Sequence, residues 1–90
     1  MAGKRTRSQL LHDMLCAIRD KGGQIKPTHL LYKANLSHQA LRKYVSELTV
    51  QGLIEERAHG GNRVYALTDR GYYFLEEYRK FTEFADAFGI

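Results

Sequence analysis

The sequence predicts a single α+β domain, mostly helical, in which a three-helix core carries one β-hairpin and is followed by a C-terminal helix. Its 90 residues suffice for one domain but not for two. Apolar residues recur at helical spacing along most of the chain, and only residues 53–67 show two strand-forming runs around a Gly-Gly pair. The hydrophobic fraction of 43% and the charged fraction of 27% exclude a disordered chain.

The first helix is expected to begin after Thr6 and to end near Lys21. Thr6 and Gln9 have the spacing of a capping box, and "KGG" ends the helix because glycine accepts a left-handed conformation. The apolar residues between them lie on one helical face: Leu10, Leu11, Met14, Leu15 and Ile18. Residues 24–26 allow no more than an edge strand, and Pro27 then opens a short helix over residues 28–33.

A second helix follows after the tight turn "ANLS". Ser37 is placed to cap this helix and Gly52 to end it, which predicts a helix over residues 38–51. Its inward stripe is Leu41, Val45 and Leu48. A short helix, a turn of about three to four residues and a second helix form a helix-turn-helix.

A hairpin over residues 53–67 comes next, with Gly60 and Gly61 in a turn that requires positive φ. Thr68 then caps the last helix, and Asp69 in its first turn suits the helix dipole. A hairpin directly after the second helix of a helix-turn-helix is the wing of a winged helix-turn-helix domain.

The segments "YKANLSHQALRKYVSELTVQGLI" and "VYALTDRGYYFLEEY" resemble the small archaeal winged helix-turn-helix family of transcriptional regulators. Members of that family share the "ANLS" turn, a "GLI" strand start and an "LT-x-x-G" start of the last helix. The resemblance extends over about residues 8–80. It implies DNA binding and a homodimer, whose last helices often pair as an antiparallel coiled coil.

Positive charge is concentrated in the first half of the chain. Residues 1–46 hold nine Lys and Arg against two acidic residues, a net charge of +7. Residues 47–90 hold five against eight, a net charge of −3. This division suits a polyanionic partner, although a chance surface bias would produce the same counts.

The candidate DNA-binding residues lie on three segments. On the helix 38–51, Gln39 and Arg42 are of the types that hydrogen-bond adenine and guanine edges in the major groove. A basic hairpin tip would lie along phosphates or in the minor groove, and a basic N-terminal arm would contact phosphates. The alternatives are a solvated polar face for the helix, an ordinary solvated turn for the tip and a disordered tail for the arm. The helix-turn-helix candidates are Thr28, His38, Gln39, Arg42, Lys43 and Ser46, with Lys26 and Lys33 weaker; the wing candidates are Arg57, His59, Asn62 and Arg63; the arm candidates are Lys4, Arg5 and Arg7.

The last helix carries apolar residues at the 4-3-4-3 spacing of a coiled-coil seam, namely Phe74, Tyr78, Phe81, Ala85 and Phe88. Leu75 lies off this seam and can pack into the core. The seam predicts a dimer interface and leaves four aromatic rings on the monomer surface; the alternative is that all of them fold back on one core. The chain therefore divides into a basic arm (residues 1–7), a winged helix-turn-helix domain (8–68) and a dimerisation helix (69–90).

No catalytic or metal-binding motif is evident, so we expect neither an enzyme nor a cofactor. The four histidines are scattered, and the single Cys16 is expected to be a small buried hydrophobe. No signal peptide or membrane span is evident, which suggests a cytoplasmic, nucleoid-associated protein. The sequence thus favours a homodimeric regulator that binds specific double-stranded DNA. The alternatives are an architectural DNA-binding protein and a protein-binding winged-helix module. The operator, and whether it would activate or repress, cannot be inferred.

Overall fold

The computed structural model describes residues 5–89, which form four helices and a three-stranded sheet. In chain order the elements are α1 (Arg7–Asp20), β1 (Gln24–Ile25), α2 (Pro27–Lys33), α3 (His38–Val50), β2 (Ile54–His59), β3 (Asn62–Leu67) and α4 (Asp69–Ala87). This order confirms the α+β class, the helix-turn-helix, the hairpin and the final helix. The first helix begins at Arg7, inside the stretch expected to be an arm.

Three predicted helix caps are present. Gln9 N donates to Thr6 Oγ1 at 3.1 Å while Thr6 N donates to Gln9 Oε1 at 2.9 Å, which completes the capping box of α1. Ala40 N donates to Ser37 Oγ at 3.0 Å, and Gly71 N donates to Thr68 Oγ1 at 3.1 Å. Each cap satisfies an amide that has no partner within its helix, a contribution of about 0.5–2 kcal/mol.

The sheet has the antiparallel order β1-β3-β2. The hairpin register runs from the pair Ile54 and Leu67 to the pair His59 and Asn62. Gly60 and Gly61 connect the strands with φ values of 58° and 83°, so the tight turn needs two residues that tolerate the left-handed region. The predicted Gly-Gly turn is therefore confirmed, and β1 joins the hairpin as the expected edge strand.

One core lies between the helices and the inner face of the sheet. Its largest fully buried side chains come from α1, α2, α3, β1 and β2: Met14, Leu15, Ile18, Leu30, Leu48, Ile25 and Ile54. Gly71 brings α4 very close to the loop before β2, because a Cβ at this position would stand 2.2 Å from Leu53 O. The start of α4 is thus fixed against the domain, and Leu75 reaches the core as expected.

Cys16 differs from its prediction, because it is half-buried rather than fully buried. Its Sγ atom lies 3.4 Å from Nε2 of His12, one helical turn earlier. Partial burial raises the pKa of the Cys16 thiol, since removal from water disfavours the thiolate. The residue packs against the core and also lines the groove between α1 and α4. Within residues 5–89, no helix has the length and apolar character needed to cross a membrane.

Candidate nucleic-acid interface

The outer face of α3 begins at its first turn. Ser37 caps the start of α3. Leu41 and Leu48 are buried on one side of this helix, so its opposite side points away from the domain. All five predicted polar residues of that face are exposed: His38, Gln39, Arg42, Lys43 and Ser46. Of the predicted inward stripe, Leu41 and Leu48 are buried and Val45 is half-buried, as is Tyr44 beside it.

A surface depression of about 190 Å³ forms where α2, α3 and β3 meet. Its apolar lining is Pro27, Leu31, Leu41 and Tyr65, and its polar lining is Thr28, His38, Arg42 and Arg63. The structure therefore brings together candidates from both helices of the helix-turn-helix and from the wing. No acidic side chain lines the depression, so its electrostatic character favours an anion.

Ion pairing separates the candidate cations into two groups. Within the part of the chain that the structure describes, Arg42 and Lys43 enter no salt bridge, whereas both arginines of the wing and both described arginines of the arm do. Lys43 instead places its Nζ 5.2 Å from the centroid of the Tyr44 ring, a cation–π geometry that leaves the charge exposed. The cations of α3 are thus available to an anion without the loss of an ion pair.

The two wing arginines lie on opposite faces of the hairpin. Arg63 pairs in register with Ala58, and Tyr65 with Glu56, so these four side chains share the face that looks towards α3. Arg57 stands on the other face, where its Nε donates to Glu55 Oε2 at 2.6 Å.

The remaining wing candidates, His59 and Asn62, form the terminal register pair on the same face as Arg57, and both are exposed. Of the four wing candidates, only Arg63 therefore reaches the depression beside α3.

The arm residues that the structure describes form hydrogen bonds with other parts of the domain. Arg5 NH1 donates to Asp13 Oδ2 at 3.0 Å and its NH2 donates to Ala34 O at 2.8 Å, which links α1 to the end of α2. Arg7 Nε donates to Glu47 Oε1 at 2.9 Å, which links α1 to α3. Lys4 lies outside the described residues. The contacts with Ala34 and Glu47 had no signal in the sequence, because these partners are 29 and 40 residues away along the chain.

The predicted seam of α4 is divided between two environments. Phe74 packs against the core, and the Tyr78 ring stacks on His12 of α1 with centroids 4.0 Å apart. Ala85 is buried, whereas Phe81 and Phe88 are exposed by 63% and 68%. The expectation that four rings stand on the monomer surface is wrong for Phe74 and Tyr78, because the domain itself covers them.

Phe84, which the seam did not include, is 58% exposed and lies 4.7 Å from the Phe88 ring, centroid to centroid. The exposed apolar stripe of α4 is therefore Phe81, Phe84 and Phe88. Helical geometry explains the difference: Phe81 and Phe88 lie on the edge of the seam away from Tyr78, and Phe84 lies beside that edge.

Residues 4–86 match the model of the winged helix-turn-helix family. The chain belongs to this family. A comparison with curated proteins gives no match. The membership agrees with the resemblance drawn from the "ANLS", "GLI" and "LT-x-x-G" segments.

Solved winged-helix structures superpose over most of the chain. Sso10a-2 from Sulfolobus solfataricus, described as a DNA-binding protein, has a TM-score of 0.75 at 18% identity, covering 93% of this chain and 85% of that chain. F93 from STIV, described as a winged-helix DNA-binding protein, has a TM-score of 0.74 at 19% identity, with 89% and 92% covered. TubR from Bacillus thuringiensis serovar israelensis, solved with 24 bp of tubC, has a TM-score of 0.68 at 22% identity, with 79% and 80% covered. At these identities the likeness establishes the fold.

Across residues 5–89, no group of three or more His, Cys, Asp or Glu is placed to hold a metal ion. The sequence reasoning overlooked Tyr65 in the depression and Glu56 beside Arg63. Both positions could have been predicted from the Gly60–Gly61 turn. A two-residue loop sets the register of the hairpin, and the register determines which strand residues share a face.

Proposed function

We propose that this winged-helix protein binds double-stranded DNA as a homodimer and acts as a transcriptional regulator with sequence preference. In this arrangement α3 enters the major groove, and the wing of residues 53–67 follows the backbone or the minor groove. One observation carries the proposal. Arg42 of α3, which enters no salt bridge within the described residues, converges with Thr28 of α2 and Arg63 of the wing on one surface depression.

The side chains of that face fit the two kinds of contact that DNA offers. The major groove is about 12 Å wide and admits one helix. Gln39 and Arg42 suit adenine and guanine edges, while Lys43, Thr28 and Arg63 suit phosphate oxygens. Contacts of the first kind discriminate between sequences, and those of the second kind position the protein. The presence of both favours a regulator over an architectural protein, which needs only phosphate contacts.

Similar proteins support the same assignment. Sso10a-2 and F93 are described as DNA-binding proteins, and the TubR structure includes a DNA duplex. A protein-binding winged-helix module would be expected to present an apolar or acidic α3. Here the outer face of α3 carries Arg42 and Lys43 in its first two turns.

The exposed stripe of α4 is the proposed dimer interface. Phe81, Phe84 and Phe88 stand on one shoulder of the helix, beyond the part that Leu75 fixes to the core. Across the rest of this segment, Arg79 pairs with Glu76 and Glu83, which keeps a charged face towards water. Two copies joined through the stripe would present two α3 helices to successive major grooves, about 34–36 Å apart.

The test is selection of bound duplexes from a random pool, followed by affinity measurements on a selected and a random duplex over a range of salt concentrations. We expect tight, salt-dependent binding to both, with the selected duplex bound more tightly. Each neutralised phosphate contributes about −0.9 to the slope of log K against log salt concentration.

Arg42→Ala should weaken binding, while the control Lys80→Ala, which removes one cation from α4, should change it little. Equal affinity for the two duplexes would indicate an architectural protein. Failure to bind either duplex would contradict DNA binding and favour a protein partner.

A further inference from the structure

Glu56 is the acidic residue on the wing face that looks towards α3. The acids of β2 are Glu55 and Glu56, and β3 contains none. Register places Glu56 opposite Tyr65, on the face that also carries Arg63. Its Oε2 lies 3.3 Å from Arg63 Nε.

This ion pair lies at the edge of the cationic depression. Arg63 and Arg42 line the same space with His38, and the lining itself contains no carboxylate. Like charges at such separations repel, so Glu56 offsets repulsion within the cluster while no anion is bound. A DNA phosphate that approaches Arg63 meets both the guanidinium and the Glu56 carboxylate. Since carboxylate and phosphate repel each other, the phosphate must displace Glu56 to gain the full contact.

We propose that Glu56 is a specificity-determining residue that competes with DNA phosphate for Arg63. The inference rests on the proposed function, because it concerns the same interface. Both side chains of the pair are more than half exposed, so the pair is weak and can exchange with another anion. Base contacts from α3 hold the wing against a preferred duplex and drive this exchange. On other sequences those contacts are missing, and the pair between Glu56 and Arg63 persists.

This competition acts differently on the two kinds of DNA. Non-specific binding comes almost entirely from phosphate contacts, so an occupied Arg63 removes one contact from it. In the specific complex Arg63 already engages phosphate, and Glu56 lowers the affinity by the full cost of separating the pair. The pair persists on random DNA only because that cost exceeds the gain from one phosphate contact, so random binding loses less than specific binding does. Glu56 therefore narrows the ratio between specific and random affinities without touching a base.

The experiment compares Glu56→Gln with wild type on the selected and the random duplex over a range of salt concentrations. On the random duplex, the slope of log K against log salt concentration should steepen by about one unit, because Arg63 now neutralises a phosphate. On the selected duplex the slope should stay unchanged. The ratio of the selected to the random affinity should rise, by at most about five-fold, the scale of one exposed ion pair, and a fall in this ratio would refute the competition.

A matched control is available on the opposite face of the hairpin. Glu55→Gln makes the same chemical and charge change, but Glu55 pairs with Arg57, away from α3. It should leave the slope on the random duplex and the affinity ratio close to wild type. In an Arg63→Gln background, Glu56→Gln should lose its effect on the ratio. Circular dichroism of each variant checks that the fold is retained.

The outcomes separate this inference from the proposed function. Wild-type binding that does not depend on salt concentration would contradict both the proposed function and the competition for Arg63. If the wild type binds as expected but Glu56→Gln and Glu55→Gln change the binding alike, the change comes from the loss of one negative charge anywhere on the hairpin. Competition for Arg63 is then refuted. Weaker binding of Glu56→Gln to both duplexes would also refute it, and would make Glu56 a positioning residue for Arg63.

Discussion

The proposed dimer predicts that Phe81→Glu separates the protein into monomers. Phe81 is the first ring of the exposed stripe on α4, ahead of Phe84 and Phe88. The three rings are exposed by 63%, 58% and 68%. A phenylalanine side chain presents roughly 200 Å², so one protomer offers roughly 350–400 Å² of aromatic surface in this stripe.

Burying this surface in two copies would contribute about 18 kcal/mol at about 25 cal/mol per Å², as an upper estimate. Association costs roughly 4–15 kcal/mol in lost translational and rotational freedom, so the stripe can hold a dimer with a modest surplus. Phe81→Glu changes both protomers, so it removes about one third of the stripe from each, roughly 6 kcal/mol, and adds two carboxylates whose burial costs several kcal/mol each. That combined loss is as large as the surplus.

Sedimentation velocity at micromolar concentration is the assay, with circular dichroism to verify the helix content. We expect a dimer for wild type and a folded monomer with reduced DNA affinity for Phe81→Glu. Tyr32→Glu is the control for oligomeric state, because Tyr32 is a 74% exposed aromatic ring on α2. A Phe81→Glu protein that still sediments as a dimer would refute the stripe as the interface, and α1 would become the next candidate.

Four further outcomes are expected from single substitutions. Arg42→Ala should cost about 1–3 kcal/mol on a selected duplex and less on a random one, if the residue reads a guanine; equal losses would identify a phosphate contact. Arg63→Ala should flatten the salt slope on the selected duplex by about one unit, and an unchanged slope would place the wing off the DNA. Ser37→Ala should lower the free energy of unfolding by about 0.5–2 kcal/mol in urea denaturation, through the lost cap on Ala40 N. Gly71→Ala should cost about 1–3 kcal/mol or more in the same assay, since its Cβ would stand 2.2 Å from Leu53 O; wild-type stability would show that α4 can shift freely.

Local chemistry allowed the sequence to determine the elements of this fold. The Thr6, Ser37 and Thr68 caps act within one helical turn, and the Gly60–Gly61 turn acts between adjacent strand ends. The apolar period of α3 fixed which of its faces is solvent-exposed, because that period depends only on helix geometry. These features need no knowledge of distant residues, and each is present in the structure.

Tertiary structure alone decided which charged side chains are available on the candidate interface. Arg5 and Arg7 were candidate phosphate contacts in the sequence, yet they pair with Asp13 and Glu47. Arg7 and Glu47 are 40 residues apart and meet only in the folded domain. Convergence of Arg63 with Arg42 likewise depends on where the hairpin lies relative to α3.

Packing also decided which aromatic rings of α4 remain exposed. The 4-3-4-3 period identified an apolar side of the helix, but α1 covers the part of it that carries Tyr78, through the stacked His12 ring. The exposed stripe therefore shifts to the neighbouring shoulder that includes Phe84. A helical period is a property of one segment, whereas the face that remains for a partner depends on the helix packed against it.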